Sequence, residues 1–404
     1  MLITSLLGCR NTSSMLRSGT SGLVRSNFLR NRIISRRSTT ITPPAEPYSK
    51  FIGPRDRKRV GKWLLCVAGA SFGTVVIGGI TRITRSGLSM VDWHPFREFP
   101  PFTRARWEAE FEKYKQFPEF KLENHDMTLE QFKKIWWVEY LHRTMGRVTG
   151  LTFAIPFGYF VLTRTFPFQL MKKLYCIGGL LLCQGYLGWY MVKSGLEEET
   201  AKKYSHPHVS HYRLAAHLGT AFVFYSLVLS TAFELLLPPQ MVSITPKHLL
   251  FRKCLIGLTG LVFVTAISGA FVAGLEAGLV YNSWPKMADR WIPTDINTKY
   301  PWYKNVTENP TTAQFDHRLL AHTVVLSVLA LWLYSRRLNL PPRSRLAMNI
   351  FLGAAAAQTT LGIVTLLTYV PKPLASLHQA GALGLLSSAI WATHESKLFR
   401  LIPK

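Results

Sequence analysis

The sequence predicts an all-α membrane protein, with eight transmembrane helices arranged as two pseudo-symmetric four-helix bundles. Three observations lead there. Apolar windows of roughly 18–22 residues, almost free of charge, recur along the chain, and that length crosses a bilayer as helix. The connecting loops alternate between strongly basic and nearly balanced. Short motifs of the first half return in the same order in the second.

Residues 1–45 come before the fold. No Asp or Glu precedes Glu46, while Arg10, Arg17, Arg25, Arg30, Arg32, Arg36 and Arg37 are interleaved with Ser, Thr and Leu. That is the composition of a mitochondrial transit peptide, expected to be cleaved and disordered; the uninterrupted apolar core of a secretory signal is missing.

Eight spans follow, at about Trp63–Thr81, Tyr140–Leu162, Leu174–Val192, Leu214–Leu237, Cys254–Ala273, His317–Tyr334, Leu346–Leu367 and Leu374–Thr393. The first four make an N-terminal bundle over residues 60–240, the last four a C-terminal bundle over 250–395. Basic loops precede span one and follow spans two, four, six and eight, with Arg55, Arg57, Lys58, Arg59 and Lys62 as the first set. The 82–134 loop offsets its bases with Asp92, Glu98, Glu108, Glu110, Glu112, Glu119, Glu123, Asp126 and Glu130. The positive-inside rule then puts both termini in the matrix of a multi-pass inner-membrane protein. The net charge of +26 is thereby absorbed by topology and targeting, not by a nucleic-acid surface. Cys66, Cys176, Cys183 and Cys254 fall in or beside spans, and Cys9 in the arm, so neither a disulfide framework nor a zinc site is expected.

The halves repeat in register. Gly87-Leu88 with Trp93 matches Gly278-Leu279 with Trp284; His142-Arg143 matches His317-Arg318; Gln184 with Leu187-Gly188 matches Gln358 with Leu361-Gly362; and His217 matches His378. Each of these histidines opens an even-numbered span, so all four lie near the intermembrane-space face. Two imidazoles facing each other inside a four-helix bundle hold a haem iron from both sides. The pairing His142 with His217, and His317 with His378, gives one haem to each half. Arg143 and Arg318 follow two of the ligands, where an arginine pairs haem propionates or snorkels to headgroups. His206, His208 and His211 cluster in a loop without carboxylates or cysteines in a fixed frame, and His322 reads as core.

One difference separates the halves. Glu139 stands three residues before His142, on the same helical face, while Gln314 holds that place before His317, with Asp316 adjacent to His317. A carboxylate beside one haem alone marks that haem as the one that reacts. Glu139 would move a proton or stabilise developing positive charge; its plainer role is a helix-start carboxylate.

The chain resembles the haem A synthase family in its mitochondrial form. The stretches that carry the resemblance include Gly78–Arg82 with Ser86–Trp93, Gln116–Phe120, Glu139–Arg143, Gly188–Leu196, Tyr212–His217, Ser268–Leu275, Asn309-Pro310 and Gln314–Arg318. The resemblance implies an oxidoreductase that converts haem O to haem A, taking the C8 methyl to a formyl group by two hydroxylations for cytochrome c oxidase assembly. It implies haem O on His142 and His217, a permanent haem b on His317 and His378, and Glu139 as the functional carboxylate. An electron-transfer partner of ferredoxin type, haem O synthase, oxidase assembly factors and self-association are the partners it brings into view. The chain departs from many bacterial members in lacking a cysteine pair in the loop after span one. A diheme electron-transfer cytochrome would want haems near both faces, and a haem chaperone would not need a carboxylate in one half only.

Overall fold

The computed structural model describes residues 48, 52–94, 98–196, 209–238, 240–242, 244–397 and 399–400. The transit-peptide reading of residues 1–45, and His206 and His208, lie outside them. Among the described residues the fold is helical, save for a two-residue parallel ladder of β1 (Gln240–Met241) on β2 (Phe399–Arg400).

Among the described residues eight helices are long: α1 (Pro54–Ile83), α4 (Leu129–Leu162), α5 (Phe168–Leu196), α6 (His211–Leu236), α7 (Pro246–Gly274), α9 (Pro310–Ser335), α10 (Pro342–Leu367) and α11 (Lys372–Lys397). Short helices α2 (Arg104–Lys115) and α3 (Pro118–Leu122) fill the loop between α1 and α4, and α8 (Tyr303–Glu308) lies in the loop before α9. Six of the long helices, α1, α4, α6, α7, α9 and α10, are long and apolar enough to cross a membrane. The expected third and eighth spans form as helices α5 and α11, which are not among those six.

Helix ends follow capping chemistry, not hydropathy. Helix α4 begins at Leu129, well before the Tyr140 expected from the apolar run. There Thr128 and Gln131 form a capping box, bonding each other's backbone N–H groups. The added turns bury Phe132 and Trp136 against Trp107, Phe111 and Tyr114 of α2, making a small aromatic core outside the main one. Prolines open α1, α7, α9 and α10, where the missing N–H has no helical partner to lose.

Helix α1 packs on α4 and α6, α6 on α5, and α4 touches α5. Helix α7 packs on α9 and α11, α11 on α10, and α9 on α10. The two sets meet through α1 with α11, α6 with α7, and α6 with α11. Tyr225 and Ser387 share a hydrogen bond of 2.7 Å across that seam, and Gln379 donates to the Val75 carbonyl at 3.0 Å. Gln379 fits because Gly79 beneath it has no side chain. At the other end, Glu395 is fully buried and accepts from Arg343, Gln240 and Trp391 at 2.6–3.0 Å. Just past α1 and α7, Arg85 and Glu276 both adopt left-handed φ near 50° and pair at 2.9 Å.

Candidate functional site

Each of the four histidines rests against a glycine of a neighbouring helix. A Cβ built on Gly78 of α1 would lie 2.8 Å from His142 Nε2, and one on Gly188 of α5 would lie 3.3 Å from His217 Cε1. In the second half, a Cβ on Gly269 of α7 would lie 3.2 Å from His317 Cε1, and one on Gly362 of α10 would lie 2.8 Å from His378 Cε1. Every imidazole thus abuts bare backbone, a seat that any larger residue would crowd. Helix α4 brings His142, α6 His217, α9 His317 and α11 His378, each toward the interior of its own helix set.

The rings of His317 and His378 stand 6.4 Å apart, centre to centre, at 85°. With metal–nitrogen bonds of about 2 Å on each side, that gap accepts one metal atom between two imidazoles. Among the described residues no group of three or more His, Cys, Asp or Glu is placed to hold a bare metal ion. Two facing imidazoles without further protein donors fit a metal whose equatorial positions a macrocycle supplies. In the first half, His217 is within electrostatic reach of His142 and Glu139. His217 Nδ1 and Gln184 Nε2 are both buried without a hydrogen-bond partner, which leaves polar atoms to be satisfied at that site.

The outer nitrogens of the second pair are held. Ser268 Oγ lies 2.7 Å from His317 Nδ1, and Gln358 Nε2 lies 3.1 Å from His378 Nδ1 while donating to the His378 carbonyl at 2.8 Å. Such contacts orient a metal-binding imidazole.

Glu139 is 3% exposed, and its setting explains how a buried carboxylate is tolerated. Arg143 Nε donates to it at 2.6 Å, and its second oxygen lies 3.8 Å from His142 Nδ1. Arg143 also donates to the Met90 and Asp92 carbonyls at 2.7 Å each and to Glu98 at 3.0 Å. Glu98 pairs with Arg147 as well. Two carboxylates and two guanidiniums so compensate one another, as burial demands. Arg318 repeats the pattern without charge, donating to the Tyr281 and Ser283 carbonyls and to Gln314 at 2.8–2.9 Å. Met90 and Asp92 stand three and five residues past Gly87, and Tyr281 and Ser283 stand at the same offsets past Gly278. Each arginine therefore pins the equivalent loop. Arg318 Nε remains buried and without a partner.

Four participants were not singled out by the sequence reading: Gly78, Gly269, Ser268 and Glu98. Gly78 and Gly269 were legible, since both precede the repeated Gly-Leu pair by nine residues. Ser268 precedes Gly269, but a hydroxyl in a helix commonly bonds its own backbone and carries no signal of a ring beside it. Glu98 has no counterpart in the second half. His322 accepts from Trp284 Nε1 at 3.3 Å and has its Nδ1 2.6 Å from the Arg318 carbonyl, so both nitrogens have local partners.

Outside the helical core, Glu119 is buried beside Tyr114, whose hydroxyl donates to it at 2.9 Å. Burial pushes its carboxyl up to about 7, with Glu123 adding to the rise, while the Tyr114 bond, Arg85 and Arg82 oppose it.

Residues 61–390 match the cytochrome oxidase assembly protein family. The chain is 53% identical over 348 residues to the heme A synthase COX15 of Mus musculus, covering 86% of this chain and 83% of that protein. It is 51% identical over 346 residues to the heme A synthase COX15 of Homo sapiens, covering 85% and 83%. A heme A synthase–mitochondrial ferredoxin fusion protein of Schizosaccharomyces pombe is 40% identical over 364 residues, covering 82% of this chain and 59% of the fusion.

Proposed function

Given that this chain belongs to the cytochrome oxidase assembly family of haem A synthases and works in haem A biosynthesis, we propose that it oxidises the C8 methyl of haem O to a formyl group at the histidine pair of its first half. His142 and His217 hold haem O as substrate; His317 and His378 hold haem b. Haem b, when bound, supplies one-electron transfer. The chain's own residues do the rest. The glycine seats fix the ring planes, the clamped loops close the sites from water, and Glu139 takes or gives the proton at the reacting carbon or stabilises positive charge there. Arg318, with one donor to spare, and Arg143 are the candidates to meet propionates.

The observation that carries this reading is the contrast between Glu139 and Gln314. Both accept from the arginine four residues on, at 2.6 and 2.9 Å, and only one is a carboxylate. The same correspondence supports a duplication: all eight long helices span the membrane as two pseudo-symmetric four-helix bundles, at residues 60–240 and 250–395. The site of action is the mitochondrial inner membrane, with both termini in the matrix and the transit peptide removed. The fused ferredoxin of the fission-yeast relative supports a ferredoxin-type electron partner. Haem O synthase, oxidase assembly factors and a second copy of the chain are further partners in this reading.

Extraction of the pigments from purified protein tests it. Reversed-phase chromatography should show haem b together with haem O, a hydroxylated haem or haem A. Haem b alone, at two equivalents, would refute the assignment of the first pair to a substrate.

A further inference from the structure

On the haem b reading above, we propose that Ser268 is a positioning residue that fixes His317 as an iron ligand through Nε2. Ser268 Oγ lies 2.7 Å from the Thr265 carbonyl oxygen and 2.7 Å from His317 Nδ1. A hydroxyl has one proton to give. The carbonyl can only accept, so that proton goes to Thr265, and a lone pair of Ser268 Oγ then accepts from His317 Nδ1–H. A neutral imidazole carries one N–H, so Nε2 is left bare, the form that binds a metal. The next residue, Gly269, completes the seat, since a Cβ there would sit 3.2 Å from His317 Cε1. Helix α7 thus presents, at consecutive positions, the group that sets the tautomer and the gap that admits the ring. His378 stands opposite, 6.4 Å away.

The first half lacks this device. Ile77 precedes Gly78 as Ser268 precedes Gly269, and it has no hydroxyl. The nearest acidic oxygen to His142 Nδ1 is that of Glu139, 3.8 Å away and on the same helix. The two halves therefore hold corresponding histidines by different means. A neutral hydroxyl holds His317 Nδ1. Glu139, at 3.8 Å, is beyond hydrogen-bond distance of His142 Nδ1. A locked ligand suits a resident haem, and an unlocked one suits a haem that must be exchanged.

An acceptor on Nδ1–H makes the imidazole a stronger electron donor and stabilises ferric iron. Its loss raises the reduction potential of the haem it binds. The experiment is a spectroscopic redox titration of haem b in the purified full chain, comparing the native protein with Ser268→Ala, Ser268→Thr and His317→Ala. Ser268→Ala is expected to keep haem b at a higher potential, and Ser268→Thr to return it toward the native value. An unchanged potential in Ser268→Ala overturns the proposal. Should Ser268→Ala lose haem b, retention in Ser268→Thr at native potential supports the hydroxyl's role, and loss from both overturns it. His317→Ala separates the premise from the proposal: a full, unaltered haem b spectrum there refutes His317 as a ligand, whatever Ser268 does.

Discussion

Glu139→Gln is the sharpest test of which half performs chemistry, because the second half shows what the substitution should look like. Gln314 occupies the equivalent place, accepts from Arg318 at 2.9 Å and donates to the Ala277 carbonyl at 2.7 Å. The amide oxygen of the variant can accept from Arg143 Nε in the same way. Arg143 keeps Glu98 at 3.0 Å and the carbonyls of Met90 and Asp92. What is lost is the charge-assisted character of that bond and one of the two carboxylates that balance Arg143 and Arg147, roughly 1–2 kcal/mol of stability with the hydrogen bond itself kept. That is small against the 5–15 kcal/mol or so of a typical folded protein. Removing a positioned carboxylate from proton transfer, in contrast, slows a reaction roughly 100- to 10,000-fold, or about 3–5 kcal/mol of barrier. The two readouts separate cleanly. Pigments from the purified variant should show haem b at native content, haem O or a hydroxylated intermediate accumulating, and haem A strongly reduced, with a thermal transition close to native. Haem A at the native level would remove Glu139 from the mechanism. A large drop in thermal stability with loss of haem b would assign it to structure instead.

Gly362→Ala places a Cβ 2.8 Å from His378 Cε1, so haem b content measured by its absorbance should fall, whereas Gly384→Ala, which meets nothing within 4 Å, should leave it unchanged. Glu395→Ala strands Arg343 and Gln240 at the buried end of α11 and should lower stability by about 2–3 kcal/mol, read from a denaturation midpoint, without selective loss of one haem. Glu119 has its folded pKa raised from 4.5 to about 7, so folding favours its protonated form. Its contribution to the α2–α3 region is therefore full below about pH 4.5 and is lost as pH rises through 7. Limited proteolysis of that region should quicken between pH 5.5 and 8, relative to a buffer-matched control substrate, and Glu119→Gln should flatten the difference.

The histidines and Glu139 were legible because an ionisable group inside an apolar window stands out, and because the repeat gave each histidine a partner. Helix ends were less so: hydropathy marks where a chain meets lipid, while Thr128 and Gln131 start α4 three turns earlier for reasons of hydrogen bonding. Arg143 and Arg318 were read against propionates and headgroups, yet they bond main-chain carbonyls of the loops, acceptors that every residue carries and no sequence pattern reveals. Glu98 joins Arg143 and Arg147 from more than forty residues away, through a loop fold without counterpart in the second half. Glycines in membrane helices have packing uses everywhere, so beyond their register with the repeat only the contacts of Gly78 and Gly269 distinguish them from the others.

The pairing of Arg85 with Glu276 bears on how such a protein can be divided. The two residues hold the same place, two positions before Gly87 and Gly278, and so face each other across the proposed symmetry axis. An assembly of two first halves would set arginine against arginine, and one of two second halves would set glutamate against glutamate. The side chains are 53% and 42% exposed, so the preference is worth less than about 1 kcal/mol. Even so, it points one way. Expressed as separate polypeptides, the halves would gain that small preference for the mixed pair, set beside the 2.7 Å bond of Arg85 to Glu123 in its own half.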